Sequence, residues 1–341
     1  MPRRTAAGTL VLPTHTPALL AEAVAQAAKI LRGGGLVAVP TETVYGLAAN
    51  ALDPVAVAAI FTAKGRPAHN PVIVHVSGRA MARACSSAWP AAADRLAGAF
   101  WPGPLTVVVP RAAGIPDAVT GGGPTVGLRW PQHPFMQAVI RACGFPLAAP
   151  SANRANELSP TTADHVLAAL DGCVPLVVDA GACNVGIEST VVDVTVKPAS
   201  VLRPGMIHEE SLAAVLGDVT AAGGPGEGMP RSPGQLPRHY APRAPLRVLA
   251  WRDDADLRAQ LAVAGMPAET THVIVHTHLP APEAFARVCL VPHDAEAYAR
   301  ALYAELHACD ALGAAAIVVE ALPDEPAWRG LTDRLRRAAA R

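Results

Sequence analysis

The sequence predicts an α/β protein in two domains, with both strand orientations in the first. Three observations carry that expectation. Apolar runs of strand length alternate with stretches of helical period along most of the chain. A proline- and glycine-rich segment, residues 219–245, interrupts the alternation. The chain has 341 residues, 51% of them hydrophobic, which suits about two cores rather than one.

Residues 17–33 read as an amphipathic helix ended by Gly33-Gly34-Gly35, followed by the short apolar strand Leu36–Pro40. Pro54–Lys64 has a helical pattern and Val72–Val76 reads as a strand. Ala91–Ala99 is a helix, and Leu105–Val109 is a strand after the Trp101-Pro102-Gly103-Pro104 turn. Thr125–Leu128, Leu147–Ala149, Leu176–Val178 and Ser189–Val194 are further strands, with helices at Phe135–Ala142 and Thr162–Leu170. Beyond the break, strands Leu246–Ala250, His272–His276, Val288–Val291 and Ala316–Val319 alternate with helices Leu257–Ala264, Ala295–Leu312 and Leu331–Ala340. The expected domains are 1–218 and 246–341, with 219–245 as a linker whose prolines and glycines hold neither helix nor ladder.

Composition narrows the function classes. Formal net charge is +0, and non-specific nucleic-acid affinity comes mainly from neutralising phosphates, so stable nucleic-acid binding is not expected. Met1–Leu12 carries Arg3 and Arg4 but no long apolar core, unlike a signal peptide. No apolar run approaches the ~20 residues of a membrane span. The six cysteines include no C-x-x-C pair, and scattered cysteines read as small buried hydrophobes of a reducing compartment. The expected location is the cytoplasm, with no membrane partner.

Polar clusters sit at the ends of these strands. Pro40-Thr41-Glu42-Thr43-Val44-Tyr45-Gly46-Leu47 places hydroxyls and a carboxylate after a strand; it reads either as a ligand-facing loop or as a capped turn before a helix. Lys64-Gly65-Arg66-Pro67-Ala68-His69-Asn70-Pro71 offers two cations that can close on a polyphosphate, or that can simply end a helix in solvent. His75, in the following strand, is either a core histidine or a ligand contact. Arg129 lies in an otherwise apolar stretch with no acid nearby in sequence. A buried arginine needs an anion, so a substrate carboxylate or a distant ion pair is expected. Ser151-Ala152-Asn153 and Ser159-Pro160-Thr161 bring neutral hydrogen-bonding groups beside small residues, with Ser159 also a candidate helix cap. Gly186–Asp193 and Val201–Gly205 follow, the latter adding Arg203 beside a turn. Neither a Walker A sequence nor G-x-G-x-x-G after a strand is present. His272, His276 and His278 alternate and read as surface histidines rather than a metal site.

In order and approximate spacing, Pro40–Leu47, Lys64–Val76, Trp101–Thr106, Ser151–Thr161, Gly186–Asp193 and Leu202–Gly205 resemble the motif series of the YrdC/Sua5 threonylcarbamoyl-adenylate synthases. Ser232–Pro242 resembles the interdomain linker of the long form, and Gly330–Ala339 the end of its second domain. The resemblance implies a twisted mixed sheet with a concave cavity in a YrdC-like domain, and a small Rossmann-like α/β C-terminal domain. It implies ATP, L-threonine and bicarbonate as substrates, with Mg²⁺ assisting and no organic cofactor. The downstream partner it implies is a threonylcarbamoyl-transferase complex acting on tRNA. By motif match, Thr43, His75, Arg129, Ala149 and Ser189 line the threonine site. Arg66, Asn70, Thr125, Ser151, Asn153, Ser159, Arg203, His239 and Tyr240 line the ATP site. Lys64 and Arg66 carry the catalytic charge stabilisation, and no metal-ligating side chains are implied. The linker is expected to fold as a lid anchored by the second domain. Two departures from the pattern stand out: Asn156 and Ala48 occupy places where glycine is common in the family. Two other readings compete. A double-stranded RNA-binding module is disfavoured by the neutral charge and the absence of Lys/Arg runs. A carbamoyl-transfer enzyme of hydrogenase maturation would carry cysteine-rich zinc fingers and an acylphosphatase region, which are not visible here.

Overall fold

The computed structural model describes residues 1–67, 69–221 and 239–340. The chain divides into two compact units, one comprising residues 1–155 and 159–236, the other Asn156–Leu158 with the C-terminal part of the chain.

Among the described residues, the first unit is built on one twisted mixed sheet of twelve strands: β1 (Arg3–Arg4), β2 (Leu10–Pro13), β3 (Val37–Val39), β4 (Gly46–Asn50), β5 (Val74–His75), β6 (Leu105–Pro110), β7 (Thr125–Arg129), β8 (Leu147–Ala148), β9 (Leu176–Asp179), β10 (Thr190–Asp193), β11 (Ala199–Arg203) and β12 (Val219–Ala221). Their spatial order is β1-β2-β9-β3-β4-β8-β5-β7-β6-β10-β11-β12. Parallel pairs such as β5/β7 and β6/β10 alternate with antiparallel pairs such as β6/β7 and β5/β8.

Local chemistry explains the helix bounds. Helix Pro17–Arg32 starts where Thr16 accepts from the Leu19 N–H, and proline suits its first turn. Its buried stripe, Ala23, Ala27, Ala28 and Leu31, packs with Phe135, Met136, Val139 and Ile140 of helix Pro134–Cys143. Helix Pro54–Lys64 starts at the Asp53 cap and ends at Gly65, which takes φ of 60°. That stop delivers Lys64 and Arg66 to the loop before β5.

The structure decides between two alternatives left open by the sequence and corrects one expectation in this unit. No helix follows Thr41–Thr43. Gly46–Asn50 is strand β4, antiparallel to β3 and β8. The stretch 219–245, expected to hold no ladder, opens with β12, which pairs in parallel with β11. Ser159 is not the helix cap, since Thr162 accepts from the His165 N–H at the start of Ala163–Leu170.

The second unit holds β13 (Leu246–Leu249), β14 (Thr271–Val275), β15 (Arg287–Leu290) and β16 (Ala316–Glu320), all parallel, in the order β13-β16-β14-β15. At the carboxyl ends, the Glu320 carboxylate takes backbone N–H bonds from His276 at 2.7 Å and Thr277 at 2.9 Å, and lies 2.6 Å from His278 Nδ1. Burial alone would raise its pKa, but the Thr277 hydroxyl and these donors outweigh burial and bring it to about 2. His272 and His276 are buried rather than on the surface, and His276 stacks on His293. Helix Arg329–Ala339 buries Arg334, whose guanidinium carbon lies 5.3 Å from the Tyr240 ring centroid. The Asp333 carboxylate accepts from Arg334, Arg336 and Arg337.

Candidate active site

The sequence motifs of the first unit are tied together by backbone hydrogen bonds. Val185 and Gly186 N–H donate to the carbonyls of Glu42 and Thr43 at 2.7 and 3.1 Å. Tyr45 N–H donates to Pro160 O, Leu47 N–H to Pro150 O and Ala152 N–H to Tyr45 O, at 2.7–2.8 Å. Gly46 bridges Ser151, and a Cβ there would sit 3.2 Å from the Ala149 Cβ, so glycine permits the close approach. Ala155 N–H donates to Lys64 O at 2.8 Å, Gly103 N–H to Trp130 O at 2.9 Å and Thr190 N–H to Pro104 O at 3.0 Å. Clusters scattered through the first two hundred residues therefore form one connected site.

Arg129 closes β7, directly opposite His75 of β5 in register. Its Nη1 donates to Thr43 Oγ1 at 2.9 Å, and its Nε reaches Gly103 O at 3.4 Å. Its Nη2 lies 2.8 Å from Glu42 Oε1, with both side chains buried. Of the two partners expected for Arg129, the distant ion pair is present: the fold supplies Glu42, which lies far from it in sequence. The two groups are close but poorly aligned for a hydrogen bond: among the described residues, Nη2 and both carboxylate oxygens complete none. Coulomb attraction, rather than bond geometry, dominates the pair. Burial would raise the Glu42 pKa; the Arg129 charge beside it prevails and holds it below the usual range. Burial, and then the Arg129 charge, push His75 down to about 3, so its imidazole is neutral. The His75 Nδ1 is buried and has no hydrogen-bond partner among the described residues.

On the neighbouring strands, Ser189 Oγ lies 2.8 Å from Thr106 Oγ1. Arg203 clasps Ser189, its Nε on the backbone carbonyl at 3.0 Å and its Nη2 on the hydroxyl at 3.1 Å. Ser159 Oγ donates to the Glu188 carboxylate. The Ala149 N–H donates to Ile73 O at 3.1 Å, which fixes the backbone beside His75.

Lys64 is buried rather than solvated, and its ammonium donates to Ser151 O, Asn153 O and Asn153 Oδ1. Ser151 Oγ donates in turn to Asn153 Oδ1 at 2.5 Å. Arg66 bonds its own loop, at Asn70 O and Pro71 O. Both cations are thus held rigidly by carbonyl oxygens. Thr125 begins β7 at the end away from Arg129, opposite Pro110. His239 and Tyr240 belong to the second unit, where their rings meet edge to face with centroids 3.9 Å apart. Asn156 takes the left-handed φ of 69° that glycine would favour and asparagine tolerates. Residues 232–238 of the lid expectation lie outside the described residues. Motif reading missed Glu42 and Thr41 as site groups, although both lie inside a motif it singled out.

Residues 29–205 match the Sua5/YciO/YrdC family model, described as "Telomere recombination". The chain belongs to that family. A second model, the C-terminal domain of threonylcarbamoyl-AMP synthase, matches residues 207–340. The threonylcarbamoyl-AMP synthase of Pyrococcus abyssi is 38% identical over 319 residues, covering 92% of this chain and 93% of its own. That of Schizosaccharomyces pombe is 33% identical, covering 95% and 90%. That of Bacillus subtilis is 44% identical, with two-thirds of each chain covered (66%). The crystal structure of P. abyssi Sua5 complexed with L-threonine superposes with a TM-score of 0.87 at 35% identity over 96% of both chains. Two-domain Sua5 architecture therefore extends over nearly the whole of this family member. Among its described residues, no helix is long and apolar enough to cross a membrane.

Proposed function

We propose that this chain is a cytoplasmic enzyme that condenses L-threonine, CO₂ from bicarbonate, and ATP into threonylcarbamoyl-AMP and pyrophosphate. The product supplies a threonylcarbamoyl-transferase complex that modifies adenosine in tRNA. The observation that carries the reading is the buried set Arg129, Thr43 and His75 on adjoining elements, in a chain whose relatives bear that enzyme's name. Arg129 offers a fixed guanidinium to the amino-acid carboxylate, sharing its charge with Glu42. Neutral His75, Ala149 and Ser189 complete the threonine pocket.

The amine nitrogen forms a bond to the carbon of CO₂ and loses a proton to water. One oxygen of the resulting carbamate attacks the α-phosphorus of ATP in line, and the bond to the pyrophosphate oxygen breaks. Arg66 and Arg203 stabilise the charge on the leaving phosphates, and Lys64 holds the 151–153 turn beside them. Asn70, Thr125, Ser151, Asn153, Ser159, His239 and Tyr240 are assigned to the nucleotide. Positioning and charge stabilisation carry the reaction without a covalent enzyme intermediate. Mg²⁺ is proposed to arrive on the nucleotide phosphates and to add charge there. Among the described residues no group of three or more His, Cys, Asp or Glu forms a cation site, and no step here is assigned to a protein-held metal.

Pyrophosphate release from ATP, measured with and without threonine and bicarbonate, tests the reading. Release that requires both supports it; release indifferent to both contradicts it. Salt-dependent RNA binding in place of such release would favour the RNA-binding alternative.

A further inference from the structure

In the second unit, β13 is an edge strand, paired with β16 on one side only. On that side Ile317 N–H donates to Pro245 O and Ala321 N–H to Leu249 O, both at 2.8 Å. Successive residues of a strand turn their backbone groups to opposite sides. The N–H and C=O groups of Leu246 and Val248 therefore point away from β16, and among the described residues they have no backbone partner. Gln260 Nε2 donates to Ala250 O at 2.8 Å, which ends the open stretch. Beside this edge lies a groove of about 460 Å³, lined by Arg247 and Leu249 of β13 and by Ala259, Gln260, Val263 and Ala264 of helix Asp254–Ala264. Val263 is 92% exposed. Arg247 makes no hydrogen bond or ion pair among the described residues, and no acid lines the groove.

We propose that this edge and groove take an extended segment of a partner protein as an added strand, with an acidic residue on Arg247 and an apolar residue two positions away against Leu249 and Val263. Each part of the surface specifies one part of the partner. Open N–H and C=O groups along a strand edge are matched by the backbone of another strand, not by a helix or a compact ligand. Arg247 and Leu249 stand two residues apart, so their side chains share one face of β13. An added strand presents its own side chains with the same period of two, which sets the spacing between the acid and the apolar residue. The unpaired Arg247 charge favours an anion there and rejects a lysine. The alanine and valine side chains of the helix wall leave room for an apolar side chain of moderate size. The inference concerns the second unit alone and does not depend on the synthase reading.

The probe is a fluorescein-labelled peptide, Ser-Thr-Asp-Thr-Val-Thr-Ser with an amidated C-terminus, titrated with the full chain and followed by fluorescence anisotropy. Wild-type protein should bind it saturably. Arg247→Glu should weaken binding at least about tenfold, the scale of one charge-assisted hydrogen bond. A peptide with Lys in place of Asp should reverse the order, binding Arg247→Glu better than wild type. Methylating the peptide's backbone nitrogens removes the donors of an added strand and should abolish binding. No saturable binding to wild type overturns the proposal, as does binding indifferent to Arg247→Glu. Binding that follows the charges but survives backbone methylation shows an electrostatic contact without an added strand, and overturns it too. Should Arg247→Glu fail to fold, the Asp and Lys peptides compared on wild type carry the same charge test. Analytical ultracentrifugation distinguishes the other occupant: dimerisation of wild type that Arg247→Glu abolishes would give the edge to a second copy of the chain and overturn the partner assignment.

Discussion

Arg129 Nη2 stands 2.8 Å from Glu42 Oε1, and both side chains are buried. The pair sets the electrostatics of the site: it keeps a guanidinium charged out of water and leaves little net charge when no anion is bound. Removing one partner strands the other. Glu42→Ala should destabilise the first unit by about 3–5 kcal/mol, the usual cost of an uncompensated buried charge. Chemical denaturation of the variant checks this.

The same pair predicts an acid sensitivity with a definite sign. The folded-state pKa of Glu42 is below its unfolded value. Its stabilising contribution is therefore fully present above the ordinary glutamate pKa and is lost as pH falls through the lower folded value. Wild-type stability should drop more steeply across that window than that of Glu42→Gln, by denaturation at a series of pH values. Equal slopes would show that Glu42 is not held ionised by Arg129.

His75 should stay neutral throughout the range in which the enzyme works. With its pKa pushed down to about 3, its imidazole resonances should show no titration between about pH 5 and 8, where an ordinary histidine titrates. The linkage sign is again that of a depressed group: stability is lost as pH falls from the ordinary histidine value toward about 3. An NMR titration with a midpoint near the ordinary value would contradict the burial-and-Arg129 account.

Lys64 and Arg66 should separate in their effects. Lys64→Ala strips donors from Ser151 O and both Asn153 oxygens and should cost about 1–3 kcal/mol of stability as well as slowing pyrophosphate formation. Arg66→Ala should slow pyrophosphate formation at low ATP. Both variants should keep threonine affinity when ATP is absent, as calorimetry would measure.

Much of this architecture was legible in the sequence. Helices Pro17–Arg32 and Pro54–Lys64 announce themselves through a capping Thr16 or Asp53, a first-turn proline and a terminal glycine. The strand Gly46–Asn50 did not. Gly-Leu-Ala-Ala-Asn has no β-branched residue, and the threonines before it look like caps; pairing with β3 and β8 decides its state. Residues 219–221 were misread for a related reason: a proline-rich stretch follows them, while their partner β11 lies in the preceding sequence. Within the site, Arg129 was recognisable as a buried cation needing an anion. Its partner was not, because proximity to Glu42 is created by the sheet. Asn156 was legible as a departure from the family pattern, and its positive φ explains why a residue tolerant of that conformation stands there.

The central claim is that carbon from bicarbonate and nitrogen from threonine end up joined on one adenylate. Incubating the protein with ATP, Mg²⁺, ¹³C-bicarbonate and ¹⁵N-threonine, and analysing the products by mass spectrometry, tests it most directly. The account predicts a threonylcarbamoyl-AMP ion carrying both labels, strongly reduced in Arg129→Ala at subsaturating threonine. AMP and pyrophosphate without a doubly labelled adenylate, or an adenylate carrying the nitrogen label alone, would contradict it.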